Sequence, residues 1–258
     1  MENFTNMGII LNLDPLTEHF LPSRPLHREG QMRELVDALH AFEKTGPVTV
    51  VLIGPAGSGK TTIAKWILHQ YFRNKYCYVN CWINRTSHSV LAKILSELNV
   101  FFHGKESEAE LLRRLSIKLL DKPYIVFLDE FDKLENFDIL YRLNSANVSL
   151  VLASTNRSAL LRFSGRLLSR LAVKEIWFRR YLPSQIYDIL ADRARLSLKE
   201  GSYSMRILKL ISYSCKGDAR IAITLLRKLA LTAEMKGKDR IDLSTFKLVR
   251  NSSSKSNC

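Results

Sequence analysis

One stretch of the chain, GPAGSGKT at residues 54–61, has the composition and spacing of a phosphate-binding loop. It follows the apolar run VTVVLI and precedes the helix-forming IAKWILHQYF, and such loops require this strand–loop–helix context. Gly57 and Gly59 let the backbone bend so that its N–H groups converge on phosphate oxygens. Lys60 can reach the β- and γ-phosphates, and the Thr61 hydroxyl can ligate Mg²⁺, so the stretch predicts binding of ATP or ADP with Mg²⁺. The residues expected to contact the nucleotide are Gly54, Pro55, Ala56, Gly57, Ser58, Gly59, Lys60, Thr61 and Thr62.

A second stretch, YIVFLDE at residues 124–130, supplies two adjacent carboxylates. Its apolar residues predict a central strand, and Asp129 and Glu130 fall at the carboxyl end, where ligands bind in open α/β sheets. Asp129 is expected to hold Mg²⁺ through water, and Glu130 to polarise the water that attacks the γ-phosphate. The alternative is an ordinary acidic strand end.

A third stretch, VLASTN at residues 151–156, predicts another strand that ends on polar residues. An amide side chain at such a strand end could orient the attacking water, and Asn156 is the candidate for this role. The alternative is that Asn156 is an ordinary turn residue.

Strands and helices alternate along the first part of the chain, and helices dominate after it. This order predicts an α/β fold, a parallel sheet with helices on both faces, followed by a small all-helical domain. Strands are predicted at 48–53, 76–80, 124–130 and 149–154. Helices are predicted at 31–45, 63–72, 89–99, 107–120, 184–198, 204–214 and 218–236. We place the first domain at residues 1–173, the helical domain at 174–250 and a disordered polar tail at 251–258.

The net charge of +14 is distributed unevenly. Residues 1–156 hold 17 Lys+Arg and 17 Asp+Glu, whereas residues 157–258 hold 22 and 8. A sign asymmetry of this size favours a polyanionic partner, double-stranded DNA first, although a merely solubilising cationic surface is the alternative. The candidate DNA contacts on or beside the later helices are Arg179, Arg180, Arg193, Arg195, Lys199, Arg206 and Lys209.

The amino terminus and the cysteines indicate a reducing compartment. The first residues, MENFTNMGIILNLDPLTEHF, are too acidic for a signal peptide, and no apolar run approaches the roughly 18 residues of a membrane span. We therefore expect a cytoplasmic protein, nucleoid-associated if the chain is prokaryotic, with no membrane partner. Since their spacing is not that of a metal site, reduced structural thiols are expected for Cys77, Cys81, Cys215 and Cys258.

The segment GDARIAITLLRK at residues 217–228 raises an electrostatic question. Gly217 and Asp218 can begin and cap a helix, but Arg220 in its first turn opposes the helix dipole. An anion in front of the helix would remove the conflict, so Arg220 is a candidate contact to the γ-phosphate. The buried stripe of this helix is expected to be Ile221, Leu225, Leu226 and Leu229.

Taken in order, the phosphate loop, the acidic strand end, the strand-terminal asparagine and the GDAR helix resemble an AAA+ ATPase. Further segments resemble the replication-initiator branch, the archaeal and eukaryotic origin-recognition family. These are HRE at 27–29, YVN at 78–80, FLDEFDKLE at 127–135, LLSRLAVKEIWFRRY at 167–181 and GDARIAI at 217–223. The resemblance covers roughly residues 20–235.

The resemblance implies further roles. Asn156 and Arg220 match the two sensor residues, and Arg170 matches an arginine that reaches the nucleotide of a neighbouring subunit, which implies self-association or other AAA+ partners. The alternative for Arg170 is one solvated helix face shared with Arg162 and Arg166. Tyr181 and Ile189 are added to the residues expected to contact the nucleotide.

The segment from Trp82 to about Lys105 matches a helical insertion that touches DNA in this family, and an ordinary packed helix is the alternative. Two departures from the family stand out. Arg180 occupies a position where the family usually has proline, and the chain stops about where a winged-helix DNA reader would begin. We therefore expect DNA binding that is mostly independent of sequence.

Three functions are compatible with these residues. The first is an initiator-like ATPase that binds DNA and switches with its nucleotide. The second is a helper ATPase of a mobile element that assembles on DNA, and the third is a regulatory ATPase switch that acts without DNA.

Overall fold

The computed structural model describes residues 8–120 and 122–255, which divide into two compact units. The larger unit comprises residues 28–55 and 59–179. The smaller unit groups the residues up to 27 with residues 56–58 and with those from 180 onward.

The larger unit is built on a parallel sheet, as predicted. Among the described residues it has five strands, in the order β2–β3–β4–β1–β5. Their bounds are β1 Thr49–Ile53, β2 Tyr76–Asn80, β3 Tyr124–Asp129, β4 Val148–Ser154 and β5 Lys174–Trp177. The register pairs Ile53 with Ser154 and Asn80 with Asp129, so the carboxyl ends of the strands lie at one edge of the sheet.

Helices cover both faces of this sheet, as the alternation of the chain predicts. Val50 and Leu52 pack on one face with α1 and α2, whereas Val51 and Ile53 pack on the other with α3, α4 and α5. Successive side chains of a strand point to opposite faces, and both faces are buried here, so the strands are almost continuously apolar. The helices are α1 Glu29–Thr45, α2 Lys60–Tyr71, α3 Ser87–Glu97, α4 Glu108–Leu119, α5 Asp138–Ser145 and α6 Gly165–Leu171.

The smaller unit is helical, and its core includes residues from the beginning of the chain. Its helices are α7 Pro183–Ser197, α8 Met205–Ser214, α9 Ala219–Met235 and α10 Leu243–Lys255. Ile9 and Leu16 are buried among the apolar residues of α7, α8 and α9. The N–H of Leu11 donates to the carbonyl of Ser197 at 2.8 Å, which fixes the early segment against the end of α7.

These units differ from the domains expected from the sequence. The expected boundary between 173 and 174 falls before β5, yet β5 pairs with β1 in the sheet, because Val50 lies opposite Lys174. Residues 8–27 pack with the helical unit, since their apolar side chains complete its core. Helix α10 extends to Lys255, so residues 251–255 of the expected disordered tail are helical, whereas 256–258 lie outside the described residues.

No helix in the described part of the chain combines the length and the apolar character needed to cross a bilayer.

Candidate functional site

The phosphate-binding loop begins directly after β1, and α2 begins within it at Lys60. Gly54 lies so close to the backbone of Phe178 that a side chain would overlap the Phe178 carbonyl oxygen. Lys60 is 7% exposed, and its ammonium donates to the carbonyl oxygens of Gly54 at 2.7 Å and Pro55 at 3.0 Å. The ammonium is thus held against the backbone of the loop, and in loops of this kind the lysine binds phosphates. Gly59, with φ of 95°, caps the helix that Lys60 begins.

Thr61 and Asp129, the two residues expected to hold Mg²⁺, are hydrogen-bonded to each other. The Thr61 hydroxyl lies 2.9 and 3.1 Å from the two carboxylate oxygens of Asp129. Burial raises the pKa of the Asp129 carboxyl, and the hydrogen bonds from Thr61 and Tyr78 act in the opposite direction. A hydroxyl and a carboxylate are hard oxygen ligands of the kind that Mg²⁺ prefers, so this pair fits the predicted ion.

Glu130 follows Asp129 at the end of β3 and adopts the left-handed conformation, with φ of 55°. A residue with a Cβ rarely takes this conformation, and it costs of order 1–3 kcal/mol unless the surrounding structure enforces it. The Glu130 carbonyl accepts the N–H of Lys133, which holds the turn that follows. The backbone at the expected catalytic glutamate is therefore strained.

Asn156 is exposed and caps a 3₁₀ turn. Its amide oxygen accepts the N–H of Ser158 at 2.9 Å and the Ser158 hydroxyl at 2.6 Å. The turn covers Arg157–Arg162 and follows β4 closely. Asn156 is thus a turn residue, as the alternative proposes. Its amide nitrogen makes no hydrogen bond among the described residues, so this is the group that could orient a water.

Arg170 and Arg162 do not share one helix face, which contradicts the alternative drawn from their spacing. Arg162 ends the 3₁₀ turn and donates to the carbonyl of Asp132 at 2.9 Å, whereas Arg170 lies on α6. The exposed Arg170 guanidinium donates to the Tyr141 hydroxyl and lies 4.9 Å from the centre of its ring. The side chain of Arg166 lies outside the described part of the structure.

In the helical unit, Asp218 caps α9 as predicted. Its carboxylate accepts the N–H groups of Arg220 at 2.9 Å and Ile221 at 3.1 Å. The Arg220 side chain is exposed at this end of the helix. The buried stripe differs from the expected one, because Ile221 is 55% exposed and Leu225 half-buried. It consists of Ala222, Leu226, Leu229, Ala230 and Ala233.

Residues 56–58 belong to this same unit through the turn before α9. The Ala219 N–H donates to the Gly57 carbonyl at 3.1 Å. Gly57 has φ of 66°, and a side chain on it would overlap the Asp218 carboxylate. Within the unit, the GDAR segment is thus in contact with the central residues of the phosphate loop.

Tyr181 and Ile189 also lie in the helical unit. The Tyr181 N–H donates to the Gly217 carbonyl at 3.2 Å, and its side chain is buried in the helical core, against which Ile189 is packed. Arg180, at the position where the family usually has proline, donates to the Lys216 carbonyl at 3.2 Å. The segments around 181 and 217 are thus held together by backbone contacts.

Two residues beside Asp129 are not predicted from the sequence. Tyr78 donates its hydroxyl to the Asp129 carboxylate at 3.2 Å, and the Lys65 ammonium lies 3.7 Å from the centre of the Tyr78 ring. The signals for Tyr78 are its place two residues before the end of β2 and its place in the YVN segment at 78–80, which resembles the initiator family. Lys65 could have been found from its position one helical turn after Thr61.

The cysteines that the structure describes, Cys77, Cys81 and Cys215, are free and buried. Burial raises the pKa of the Cys77 thiol to about 12 and that of Cys215 to about 11, so both are thiols at neutral pH. Within the described residues no group of three or more His, Cys, Asp or Glu side chains could hold a metal ion. Cys258 lies outside the described residues.

Two family profiles match the chain. The family described as "AAA domain" matches residues 44–163, and the family described as "Cdc6 AAA+ ATPase-type lid domain" matches residues 187–250.

Several known proteins are similar over most of the chain. The ORC1-type DNA replication protein 1 of Sulfolobus acidocaldarius is 34% identical, over 90% of this chain and 64% of the relative. The protein of the same name from Halobacterium salinarum is 32% identical, over 88% of this chain and 77% of the relative. The Aeropyrum pernix ORC1 protein, solved in complex with DNA, superposes with a TM-score of 0.84 at 28% identity, over 95% of this chain and 70% of that one.

Proposed function

Because the chain belongs to the ORC1-type DNA replication proteins, AAA+ ATPases of the Cdc6/ORC type, we propose that it is a nucleotide-dependent switch that hydrolyses ATP and binds DNA. The chain spans 64% of the length of its Sulfolobus relative, so what the longer relatives do is carried over here as part of the proposal.

The contact between Thr61 and Asp129 carries the nucleotide part of the proposal. It joins the start of α2 to the end of β3, beside the loop where Lys60 is held. Lys60 would bind the phosphates, and Thr61 and Asp129 would hold Mg²⁺. The ion, when bound, neutralises charge that develops on the β- and γ-phosphate oxygens.

The remaining residues have roles around the γ-phosphate. Glu130 would accept a proton from the attacking water, and the Asn156 amide would orient that water. Arg220 would bind the γ-phosphate, and Arg170, held by Tyr141, would act on the nucleotide of a neighbouring subunit. Tyr181 and Ile189 would contact the nucleotide from the helical unit.

The DNA part of the proposal rests on the family and on charge. A. pernix ORC1 has been solved in complex with DNA, and all of the +14 charge of this chain lies beyond residue 156. Lysine and arginine side chains that neutralise phosphates bind DNA without reading its sequence. We therefore propose that duplex binding is largely non-specific. We also propose that the chain associates with itself or with other AAA+ subunits, as the role given to Arg170 requires.

Two variants test the nucleotide part. Lys60→Ala removes the cation from the phosphates, so nucleotide affinity should fall about tenfold or more, as for loss of a charged hydrogen bond. Glu130→Gln keeps the shape but loses the proton acceptor, so ATP should still bind while hydrolysis falls by ~10²-fold or more. Binding of a fluorescent ATP analogue and release of phosphate measure the two effects separately.

The matched control for these variants is Glu135→Gln, an exposed carboxylate close to Glu130 in the chain, which should leave both measurements unchanged. Wild-type protein that binds no nucleotide would overturn the proposed function. Unchanged hydrolysis in Glu130→Gln would remove only that residue from the mechanism.

A further inference from the structure

Tyr78 lies in the middle of β2, and its hydroxyl reaches toward the edge of the sheet where the strands have their carboxyl ends. Its backbone pairs with Phe127 of β3, and its ring meets the Phe127 ring edge-on with centroids 5.4 Å apart. Asp129 is two residues further along β3, on the same face as Phe127. The phenol of Tyr78 thus reaches from β2 to β3, where its hydroxyl oxygen lies 3.2 Å from the Asp129 carboxylate.

Lys65 fixes the orientation of the Tyr78 ring. It lies one turn after Thr61 on α2, so both side chains leave the helix on the same side. Its ammonium lies 3.7 Å from the ring centre, a cation–π contact that favours one ring position. Burial lowers the pKa of Lys65, and the nearby Asp129 carboxylate acts in the opposite direction.

One carboxylate oxygen of Asp129 is the meeting point of these contacts. Its Oδ2 atom accepts the Thr61 hydroxyl at 2.9 Å and the Tyr78 hydroxyl at 3.2 Å. When Thr61 uses its lone pair for a metal ion, its proton still needs an acceptor, and this oxygen provides it. If the Asp129 carboxylate rotated, Oδ2 would no longer face the Thr61 hydroxyl. The hydrogen bond from Tyr78 comes from a strand, so it can hold the carboxylate in place whether or not Thr61 binds a metal ion.

We propose that Tyr78 is a positioning residue of the Mg²⁺ site, which orients the Asp129 carboxylate through its hydroxyl while Lys65 holds its ring. This inference rests on the proposed function, because it concerns the ion that accompanies the nucleotide. It predicts that loss of the hydroxyl weakens Mg²⁺ binding and leaves nucleotide binding without Mg²⁺ intact.

The test compares Tyr78→Phe with Tyr76→Phe. Tyr78→Phe keeps the ring and its contact with Lys65 but removes the hydroxyl, and Tyr76→Phe removes a hydroxyl from the same face of the same strand. Mg²⁺ is titrated into protein with a fluorescent ATP analogue, and analogue affinity is also measured in EDTA. For Tyr78→Phe the half-saturating Mg²⁺ concentration should rise roughly 3- to 10-fold, the range that an ordinary intramolecular hydrogen bond contributes. Affinity in EDTA should stay within about twofold.

A second variant and a folding control guard the interpretation. Lys65→Met removes the cation over the ring, and it should raise the Mg²⁺ requirement in the same direction but less. Thermal unfolding midpoints without nucleotide are compared among wild type, Tyr78→Phe and Tyr76→Phe, and agreement of all three shows that the fold is kept. An unchanged Mg²⁺ titration in Tyr78→Phe, or an equal rise in Tyr76→Phe, would overturn the inference while the proposed function stands. Wild-type protein without nucleotide binding would overturn both.

Discussion

Arg220 and Asp218 show how a residue that opposes the helix dipole is accommodated. The Asp218 carboxylate accepts two N–H groups of the first turn of α9, so the helix end has an anion of its own. The arginine side chain is exposed and is not needed to satisfy the helix. Its placement therefore adds positive charge to a helix end that already favours anions, which suits a role in binding phosphate.

Arg220→Ala should weaken ATP binding more than ADP binding, because the proposed contact is to the γ-phosphate. We expect the affinity for ATP to fall about tenfold or more, as for loss of a charged hydrogen bond, and that for ADP to stay within about twofold. Competition between a fluorescent analogue and each unlabelled nucleotide measures the two affinities. Arg227→Ala, an exposed arginine two turns later on α9, is the control. Equal losses for ATP and ADP would end the sensing role.

At the scale of residues, the sequence predicts which motif residues meet, but not which neighbouring side chains are buried or complete the site. The contact between Thr61 and Asp129 follows from two motifs at the ends of strands in one sheet. The exposure of Ile221 could not be predicted, because neighbouring helices decide which part of an apolar stripe is covered. The involvement of Tyr78 could not be predicted either, because it depends on the register between β2 and β3.

At the scale of elements, strands with a clear apolar pattern are predictable, whereas elements with few buried residues or a polar half are not. The strands β1, β3 and β4 were predicted, because both faces of each are buried. Strand β5 was missed, because it is an edge strand of four residues in which Ile176 alone is fully buried. Helix α10 was missed because its second half is polar, and α5 because it covers eight residues.

The contacts of Asp242, just before α10, lead to a prediction about how the stability of the fold depends on pH. The Lys238 ammonium, with the Thr245 N–H and the Ser244 and Thr245 hydroxyls, holds the pKa of Asp242 below its usual range. A carboxyl with a lowered pKa stabilises the folded state above the pKa of the unfolded residue, about 4. This contribution is lost progressively as the pH falls from there through the lower pKa of the folded state. Asp242→Ala should cost about 0.5–2 kcal/mol at pH 7, as for loss of an N-cap. The side chain is 38% exposed, so the low end is expected.

The urea midpoints of wild type and Asp242→Ala, followed from pH 7 to pH 3, check this expectation. The difference between them should shrink as the pH approaches 3. Asp239→Ala, an exposed neighbour, should match wild type throughout. A difference that stays constant with pH would show that the carboxylate charge does not contribute.

At the scale of the whole molecule, the surplus of positive charge is not all available at the surface. Arg193, one of the candidate DNA contacts, is 6% exposed and lies 4.4 Å from the centre of the Phe20 ring. Burial lowers the pKa of its guanidinium, and packing between α7 and the early segment accounts for its position. Arg193 is therefore wrong as a DNA contact. The other candidates are exposed, namely Arg179, Arg180, Arg195, Lys199, Arg206 and Lys209.

A charge reversal tests the DNA contact of the helical unit. Arg195, whose side chain is 73% exposed, and Lys199 are both changed to Glu, and duplex binding is measured against salt concentration. Each phosphate contact contributes about −0.9 to the log–log slope, so the slope should become shallower by roughly one unit per residue involved. Arg33→Glu with Arg73→Glu makes the same change of charge on exposed residues of the larger unit. Equal effects of both pairs would show that net charge, and not this surface, governs binding.

The packing of residues 8–27 with the helical unit has a consequence for how the chain can be divided. A fragment beginning near residue 180 would lack Ile9 and Leu16, and the apolar side chains they cover on α7, α8 and α9 would face water. The helical unit thus combines residues 8–27 with residues from 180 onward, so its core cannot form until α7, α8 and α9 have been synthesised. The larger unit, residues 28–55 and 59–179, is already complete at residue 179. Synthesis therefore imposes an order on folding, because residues 8–27 are made first but can pack only after α7, α8 and α9 have been made.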